Sequence, residues 1–507
     1  MQFPDLTAKR AELNADKSAL ADVATGREFN YAELDQRASG AAVVFRDAWG
    51  VRPGDRVAVL AHNRTDTIEL LFACAKLGAV LVPLNWRLSV PELKEIAADA
   101  DPVGLVYDDP NAEAAGELCK ERGLRSMAFG PDPSGAELGY ETALGEAGAE
   151  SIVHPPRDEG ELWYLLYTSG TTGTPKGVRQ TFGMALVNHL NIGLAVGITG
   201  DDAFLSVLPQ FHTGGINLYT LPMLLAGGTT LITRLFDPGE TLALLSTRAN
   251  LFFGVPTMFQ MLADHPDFAT TDLSGVRSWA CGGAAMPVPL LERLAARRIQ
   301  VRQGMGMTET GPTVFLLDEE HAIEKAGSVG KPQPFVEARI VDRSGRDVAD
   351  GEAGELLLRG AGITPGYWRR PGATSAAFTD GWLHSGDVAR RDADGYYYIV
   401  DRWKDMYISG GENVYPAEVE RVMIAFPGVA DVAVVGVPDE QWGEVGKAFV
   451  VPSAGADVDP DRLLELCRAE LAAFKVPKHV EIVDALPHNA SGKVLKDELR
   501  TRPAPQD

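Results

Sequence analysis

The sequence predicts an α/β chain of more than one domain. A large N-terminal part carries two α/β layers and an antiparallel β subdomain, and a small α/β part lies at the C-terminus. Three observations carry this expectation. Short apolar runs alternate with segments of helical spacing through the first half of the chain, the pattern of a mostly parallel sheet. From about residue 327 to 400 short strands and turns replace that alternation. Beyond about residue 405 helices and strands alternate again.

Taken in order, Tyr31 to Phe45 places Leu34, Ala38, Ala42 and Phe45 at helical spacing. Gly54-Asp55 leads into a buried-type strand, Val57 to Leu60. Thr67 to Leu77 reads as a helix, Ala79 to Pro83 as the next strand, and Leu105 to Tyr107 as another. The stretch from about 130 to 160, rich in Gly, Pro, Glu and Ala, reads as a surface connection. The apolar run Leu162 to Tyr167 is a further buried strand. Phe204 to Leu208, Thr230 to Ile232 and Leu251 to Phe253 form the second layer. Ser278 to Cys281 is a strand followed by small residues, and a helix opens at Pro287. Glu337 to Val341, Gly354 to Arg359 and Tyr396 to Val400 are β-like, with a hairpin turn at Asp392 to Gly395. Gly366-Tyr367-Trp368 lies in the path of this antiparallel part.

The chain has 507 residues, 45% hydrophobic and 23% charged, with a net charge of −23. That acidity argues against nucleic-acid or anionic-membrane binding. No run of about 18 apolar residues offers a membrane span, and the first ten residues hold no apolar core of signal-peptide length. Four well-separated cysteines, Cys74, Cys119, Cys281 and Cys467, form no metal spacing and no disulfide framework. A cytoplasmic protein is expected. Oligomeric state is not legible.

The strand at Leu162 runs into Thr168-Ser169-Gly170-Thr171-Thr172-Gly173-Thr174-Pro175-Lys176-Gly177. Bare backbone N–H groups, hydroxyls and one lysine suit a phosphate. The common phosphate loop is excluded, because Pro175 stands where that motif needs glycine and Gly177 where it needs a hydroxyl. Taken alone, the string also fits a flexible surface loop.

The full string resembles the phosphate-loop signature of the adenylate-forming enzymes, the superfamily of acyl-CoA synthetases, peptide-synthetase adenylation domains and firefly luciferase. The signature is long and compositionally odd, so chance agreement is improbable. Further matches run in order nearly to the C-terminus. The resemblance implies that Thr168, Ser169, Gly170, Thr171, Thr172, Gly173 and Lys176 hold the phosphates of ATP. Gly283 and Ala284, in Cys281-Gly282-Gly283-Ala284, would touch adenine and the acyl tunnel. Gln303-Gly304-Met305-Gly306-Met307-Thr308-Glu309 matches a second segment. It implies Thr308 at the α-phosphate and Thr168 and Glu309 as ligands of Mg²⁺. Met305 departs from the tyrosine usual there, which alters adenine packing.

The resemblance also implies that His212, in Pro209-Gln210-Phe211-His212, stands beside the substrate carboxylate; without it, a histidine satisfied by backbone is the plainer reading. Asp387 would bind the ribose hydroxyls, since a carboxylate accepts two hydrogen bonds at once. Arg402 would sit by the ribose and phosphate. Lys404 would be the hinge, residues 401–404, between an N-terminal domain, 1–400, and a mobile cap, 405–507. Ser409, Gly410 and Gly411 would line the CoA tunnel. Lys493, in Ser491-Gly492-Lys493, would be the catalytic lysine.

The implied activity is an AMP-forming acyl-CoA synthetase using ATP, CoA and Mg²⁺ on a small-molecule carboxylic acid. Lys493, Thr172, Thr308, Glu309 and His212 are the expected catalytic set. The mostly apolar or small candidates near Asn188, His189, Ile216 and Val255 fit a fatty acid, narrowly favoured, or an aryl acid such as ferulate. Two rival readings are an adenylation enzyme that loads a carrier protein and an inactive nucleotide-binding regulator.

Overall fold

The computed structural model describes residues 2–130, 135–148, 150–168, 175–402, 404–409, 412–439, 441–488 and 494–502, with Glu412 and Asn413 by backbone alone. The chain divides into two compact units, Met1–Glu337 with Leu358–Leu383, and Ala338–Leu357 with His384–Asp507.

The first unit contains two large sheets. A seven-stranded sheet runs Lys176–Thr181, Leu162–Thr168, Val80–Leu84, Arg56–Leu60, Gly104–Tyr107, Arg125–Ala128 and Leu138–Gly139. A nine-stranded sheet runs Lys331–Pro332, Gly311–Leu316, Val301–Met307, Ser278–Cys281, Leu251–Gly254, Ala203–Ser206, Thr229–Ile232, Ser18–Asp22 and Arg27–Asn30. Their interiors are parallel. A parallel strand is covered on both faces, which is why Val80–Leu84 is apolar and buried at every position. The helix Tyr31–Ala48 starts at Asn30, whose side chain accepts from the Glu33 amide at 2.8 Å while Glu33 reaches back to the Asn30 amide at 2.9 Å. The helix Thr65–Leu77 is buried around nearly its whole circumference, so its Ile, Leu, Phe and Ala content has no polar stripe. Trp163 and Phe182 stack at 4.6 Å within the largest apolar cluster.

Three local expectations change. Lys176 does not belong to the loop. It opens a strand that returns antiparallel along Leu162–Thr168, with Thr168 opposite Lys176. Alternation of Val178 and Gln180 with their neighbours carried that signal, and the glycine content around them masked it. The stretch from 130 to 160 is more than a surface connection: it contains the helix Tyr140–Ala147, whose Tyr140 and Ala143 are buried. Gly366-Tyr367-Trp368 pairs with the first unit's hairpin, through a bridge from Tyr367 to Val178 and a bond from the Trp368 amide to the Gly177 carbonyl at 2.7 Å. A distant strand edge supplies that pairing, and no local pattern encodes it.

In the second unit, Asp387 to Arg391 pair antiparallel with Tyr397–Arg402. A further sheet joins Tyr407–Ser409, Gly443–Pro452, Val429–Asp439 and His479–Ile482. The helices Pro416–Ile424 and Pro460–Glu470 supply Val419, Met423 and Leu463 to a core shared with Tyr407, Val434 and Val450. Among the described residues no helix is long and apolar enough to cross a membrane.

Candidate active site

A buried polar network ties the strand Lys176–Thr181 to the turn at Thr308. Gln180, wholly buried, points inward from the hairpin strand Lys176–Thr181. A buried amide must find partners or forfeit its hydration. Gln180 donates to the Thr308 carbonyl at 2.8 Å and accepts from the Asn217 amide at 3.3 Å. Asn217 also donates to the Thr213 hydroxyl at 3.0 Å and accepts from the Tyr164 hydroxyl. The Asn188 amide donates to the Asn217 carbonyl. One network thus ties together the hairpin that carries the threonine loop, the turn at Thr308 and the turn that follows His212. Gln180, Asn217 and Tyr164 escaped sequence reasoning. The legible signal was a polar residue on the core face of a strand.

Thr308 and Glu309 form a single tight turn, Thr308–Thr310, between the antiparallel strands Val301–Met307 and Gly311–Leu316. The Thr310 hydroxyl closes that turn, accepting from the Met307 amide at 3.1 Å. The Glu309 carboxylate accepts from the Tyr367 hydroxyl at 3.0 Å, and the Glu309 carbonyl accepts from the Thr364 amide at 2.7 Å. Burial, and then the Glu309 charge, push the Tyr367 phenol well above its usual value, so it stays a neutral donor. The Lys176 ammonium lies 5.3 Å from the centre of the Tyr367 ring, within cation–π range. The Thr168 hydroxyl faces the Lys176 carbonyl at 3.5 Å, at the mouth of the hairpin. Sequence reasoning quoted Tyr367 without giving it this position.

Gln303, Gly304, Met305, Gly306 and Met307 lie along the strand Val301–Met307, with Met305 opposite Phe315. Gly306 has no room for a side chain: a Cβ there would sit 2.1 Å from the Pro312 carbonyl oxygen. Gly306→Ala should therefore destabilise the chain by about 1–3 kcal/mol or more by forcing the hairpin apart. Denaturant unfolding measures this, and a variant as stable as the parent means that the strand relaxes freely. Gly283 follows the neighbouring parallel strand Ser278–Cys281 with φ +83°, a backbone that side chains disfavour. Gln303 holds this loop by accepting from the Met286 amide at 3.1 Å. Val255 borders the same place, 3.6 Å from where a Gly283 Cβ would stand. Ile216, by contrast, is wholly buried in the largest apolar cluster.

His212 precedes a π-helical turn, Gly214–Leu218, of the kind that often re-aims side chains at functional sites. Its ring packs against Phe211 at 4.8 Å, and its Nε2 is buried without a hydrogen-bond partner among the described residues. Burial, and then the Arg87 guanidinium, push the imidazole down to about 4. The unfolded chain binds a proton there below about 6.5, and the folded chain only below about 4. Stability contributed by the neutral ring is thus complete above the unfolded value and is lost as pH falls toward the folded one. His212→Leu should flatten that acid limb, measured by denaturant unfolding at stepped pH. An unchanged limb would mean that the folded ring accepts the proton.

In the second unit Asp387 and Arg402 stand opposite each other across an antiparallel pair, with Arg402 Nε 2.9 Å from the Asp387 carboxylate. Asp387 is buried, and its amide donates to the Ser385 hydroxyl at 3.1 Å. Lys404 Nζ lies 3.7 Å from Asp497, and Ser409 ends the strand Tyr407–Ser409. Ser169, Gly170, Thr171, Thr172, Gly173, Gly410, Gly411 and Lys493 lie outside the described residues.

Among the described residues no cluster of three or more His, Cys, Asp or Glu is placed to hold a metal. A magnesium ion that travels with a nucleotide needs less: one or two protein oxygens beside the phosphates. Glu309 and Thr168 offer hard oxygen donors of that kind.

Comparison with known proteins gives the family. Residues 7–368 match the model of the AMP-binding enzymes, and residues 418–493 match that of the AMP-binding enzyme C-terminal domain. The chain is 45% identical over 480 residues to a feruloyl-CoA synthase of Amycolatopsis, covering 94% of each. It is 36% identical over 498 residues to a long-chain-fatty-acid–CoA ligase of Mycobacterium tuberculosis, covering 97% of this chain and 96% of that one. The structure of o-succinylbenzoate coenzyme A synthetase from Bacillus subtilis, in complex with ATP and magnesium ion, superposes with a TM-score of 0.88 at 32% identity, over 98% of this chain and 100% of that one. The chain belongs to the family of AMP-binding enzymes.

Proposed function

We propose that this AMP-forming carboxylate–CoA ligase acts on an aryl acid of the hydroxycinnamic type. The enzyme uses ATP, CoA and magnesium, as an acid–thiol ligase of this family does. The choice of acid leans on the 45% identity to a feruloyl-CoA synthase, against 36% to a fatty-acid ligase. That difference moves the balance from the fatty acid to ferulate. An acidic chain with four free thiols fits a cytoplasmic enzyme.

The observation that carries the mechanistic reading is the shared network of Gln180, Asn217 and Thr308. In the first step the substrate carboxylate attacks the α-phosphate of ATP, and pyrophosphate leaves. In the second the CoA thiolate attacks the acyl adenylate, and AMP leaves. Bound magnesium supplies positive charge at the phosphates. The chain's own work is positioning and charge stabilisation. Thr172, Thr308 and Lys493 face the α-phosphate, Lys176 supports the loop and the departing pyrophosphate, and neutral His212 borders the acid. Asp387 and Arg402 hold the ribose, and residues along Gln303–Met307 and at Gly283 and Ala284 hold the adenine. Between steps the cap, 405–507, turns about Lys404 against residues 1–400 and exchanges Lys493 for the glycine loop at Ser409, Gly410 and Gly411.

The test is a panel of carboxylates scored for CoA-dependent AMP release and for thioester product. Ferulate or a close relative should give the highest kcat/KM. A long-chain fatty acid ahead of every aryl acid sinks the substrate assignment. Acyl transfer to a carrier protein but not to CoA favours the carrier-loading reading, and no turnover with any acid favours the inactive regulator. ADP in place of AMP overturns the whole scheme.

A further inference from the structure

Two turns from different sheets meet just ahead of His212. His62, Asn63 and Arg64 follow the strand Arg56–Leu60 of the seven-stranded sheet and lead into the helix Thr65–Leu77. Leu208 to His212 follow the strand Ala203–Ser206 of the nine-stranded sheet. Three hydrogen bonds join the turns, between partners 145 to 147 residues apart. The buried Asn63 side chain donates from Nδ2 to the Leu208 carbonyl at 2.9 Å and accepts at Oδ1 from the Gln210 amide at 2.9 Å. A residue of a parallel strand bonds in this way to the carbonyl before and the amide after the position it faces, so one side-chain amide stands in for a strand. The reciprocal bond runs from the Arg64 amide to Gln210 Oε1, at 2.9 Å. The anchor is itself held. Arg64 Nε lies 2.6 Å from the buried Asp66 carboxylate, and its guanidinium lies 3.9 Å from the centre of the Phe129 ring. Trp86 packs on His62 at 4.1 Å and meets Phe211 edge-on at 6.4 Å, which braces the two turns through their aromatic rings.

We infer that Asn63, together with Gln210, is a positioning residue of the acid site: it fixes the turn Leu208 to His212 against the seven-stranded sheet and so sets where the His212 imidazole stands. The inference rests on the reading of His212 given above. Among the described residues no hydrogen bond holds His212 Nε2, so the ring takes its place from its backbone and from its packing on Phe211. That backbone is tied to the clasp. The His212 amide donates to the Pro209 carbonyl at 3.0 Å, and Pro209 lies between the two residues that Asn63 grips. Removing the Asn63 side chain takes a partner from the Leu208 carbonyl and another from the Gln210 amide, and a turn that must recover those bonds shifts. A shift of about 1 Å is enough to lower a positioned step by as much as a hundredfold. The proposed adenine contacts lie on and after the strands Ser278–Cys281 and Val301–Met307, away from the clasp, so ATP binding should be indifferent.

The experiment measures adenylation by pyrophosphate exchange in the full-length protein, varying the acid and ATP separately. The acid is ferulate, or whichever acid outranks it in the panel above. Asn63→Ala should lower kcat/KM for the acid by about tenfold or more and leave the KM for ATP within about twofold. Gln210→Met keeps both Asn63 bonds and removes the one from Arg64, so it should act in the same direction by about threefold and serves if the Asn63 variant folds poorly. In a His212→Leu background Asn63→Ala should add nothing, because its effect runs through that ring. Parallel losses for the acid and ATP, or a loss that multiplies with that of His212→Leu, mean that the clasp merely holds the fold and overturn the inference. If His212→Leu is impaired and neither clasp variant is, the positioning role alone falls. If His212→Leu handles the acid normally, the reading beneath has failed and the positioning role falls with it.

Discussion

Lys493→Ala is expected to lower acyl-adenylate formation by about a hundredfold to a thousandfold, the usual cost of removing one preorganised donor from a developing oxyanion. In the proposed first step the carboxylate bonds to the α-phosphate as pyrophosphate leaves, and the phosphate oxygens carry charge that a positioned cation stabilises. In the proposed scheme the lysine meets that charge only when the cap is closed. The same substitution should spare thioester formation from a supplied adenylate, because the phosphoryl chemistry is then already complete. Pyrophosphate exchange and thioester release, run side by side on one preparation, measure both. Equal loss in the two would mean that Lys493 supports the cap rather than the reaction. No loss in either would remove it from the mechanism.

Glu309→Gln should cost adenylation about a hundredfold and raise the magnesium concentration needed for half-maximal rate. The substitution is chosen for its shape. Glutamine still accepts from the Tyr367 hydroxyl, now at 3.0 Å from the carboxylate, so the turn Thr308–Thr310 should hold. What goes is the negative charge, and with it the affinity of a hard cation. Tyr367→Phe provides the control. It removes one hydrogen bond to the carboxylate, a change of about 1.5–3 kcal/mol at most for a charged acceptor, and leaves the charge in place. A Gln variant with unaltered magnesium dependence would reassign Glu309 to a structural role.

Much of this was legible in the chain. The alternation of Val57–Leu60, Thr67–Leu77 and Ala79–Pro83 reads as parallel α/β because burial on both faces demands continuous apolar strands. The two motifs around Thr168 and Thr308 were visible because each is a long contiguous string of unusual composition. Gln180, Asn217 and Tyr367 were not visible in that way. Each is an ordinary polar residue whose meaning depends on partners 128, 37 and 58 residues away.

Local sequence determined the element types, the order of the two α/β layers and the identity of the charged and hydroxyl groups available for chemistry. The return strand at Lys176, the crossing of Tyr367 onto Val178 and the convergence on Gln180 came only with tertiary structure. The reason is physical. Helix and strand periodicity is written by neighbours within a few residues, whereas a buried hydrogen bond is chosen by whichever distant donor the closed core leaves beside it.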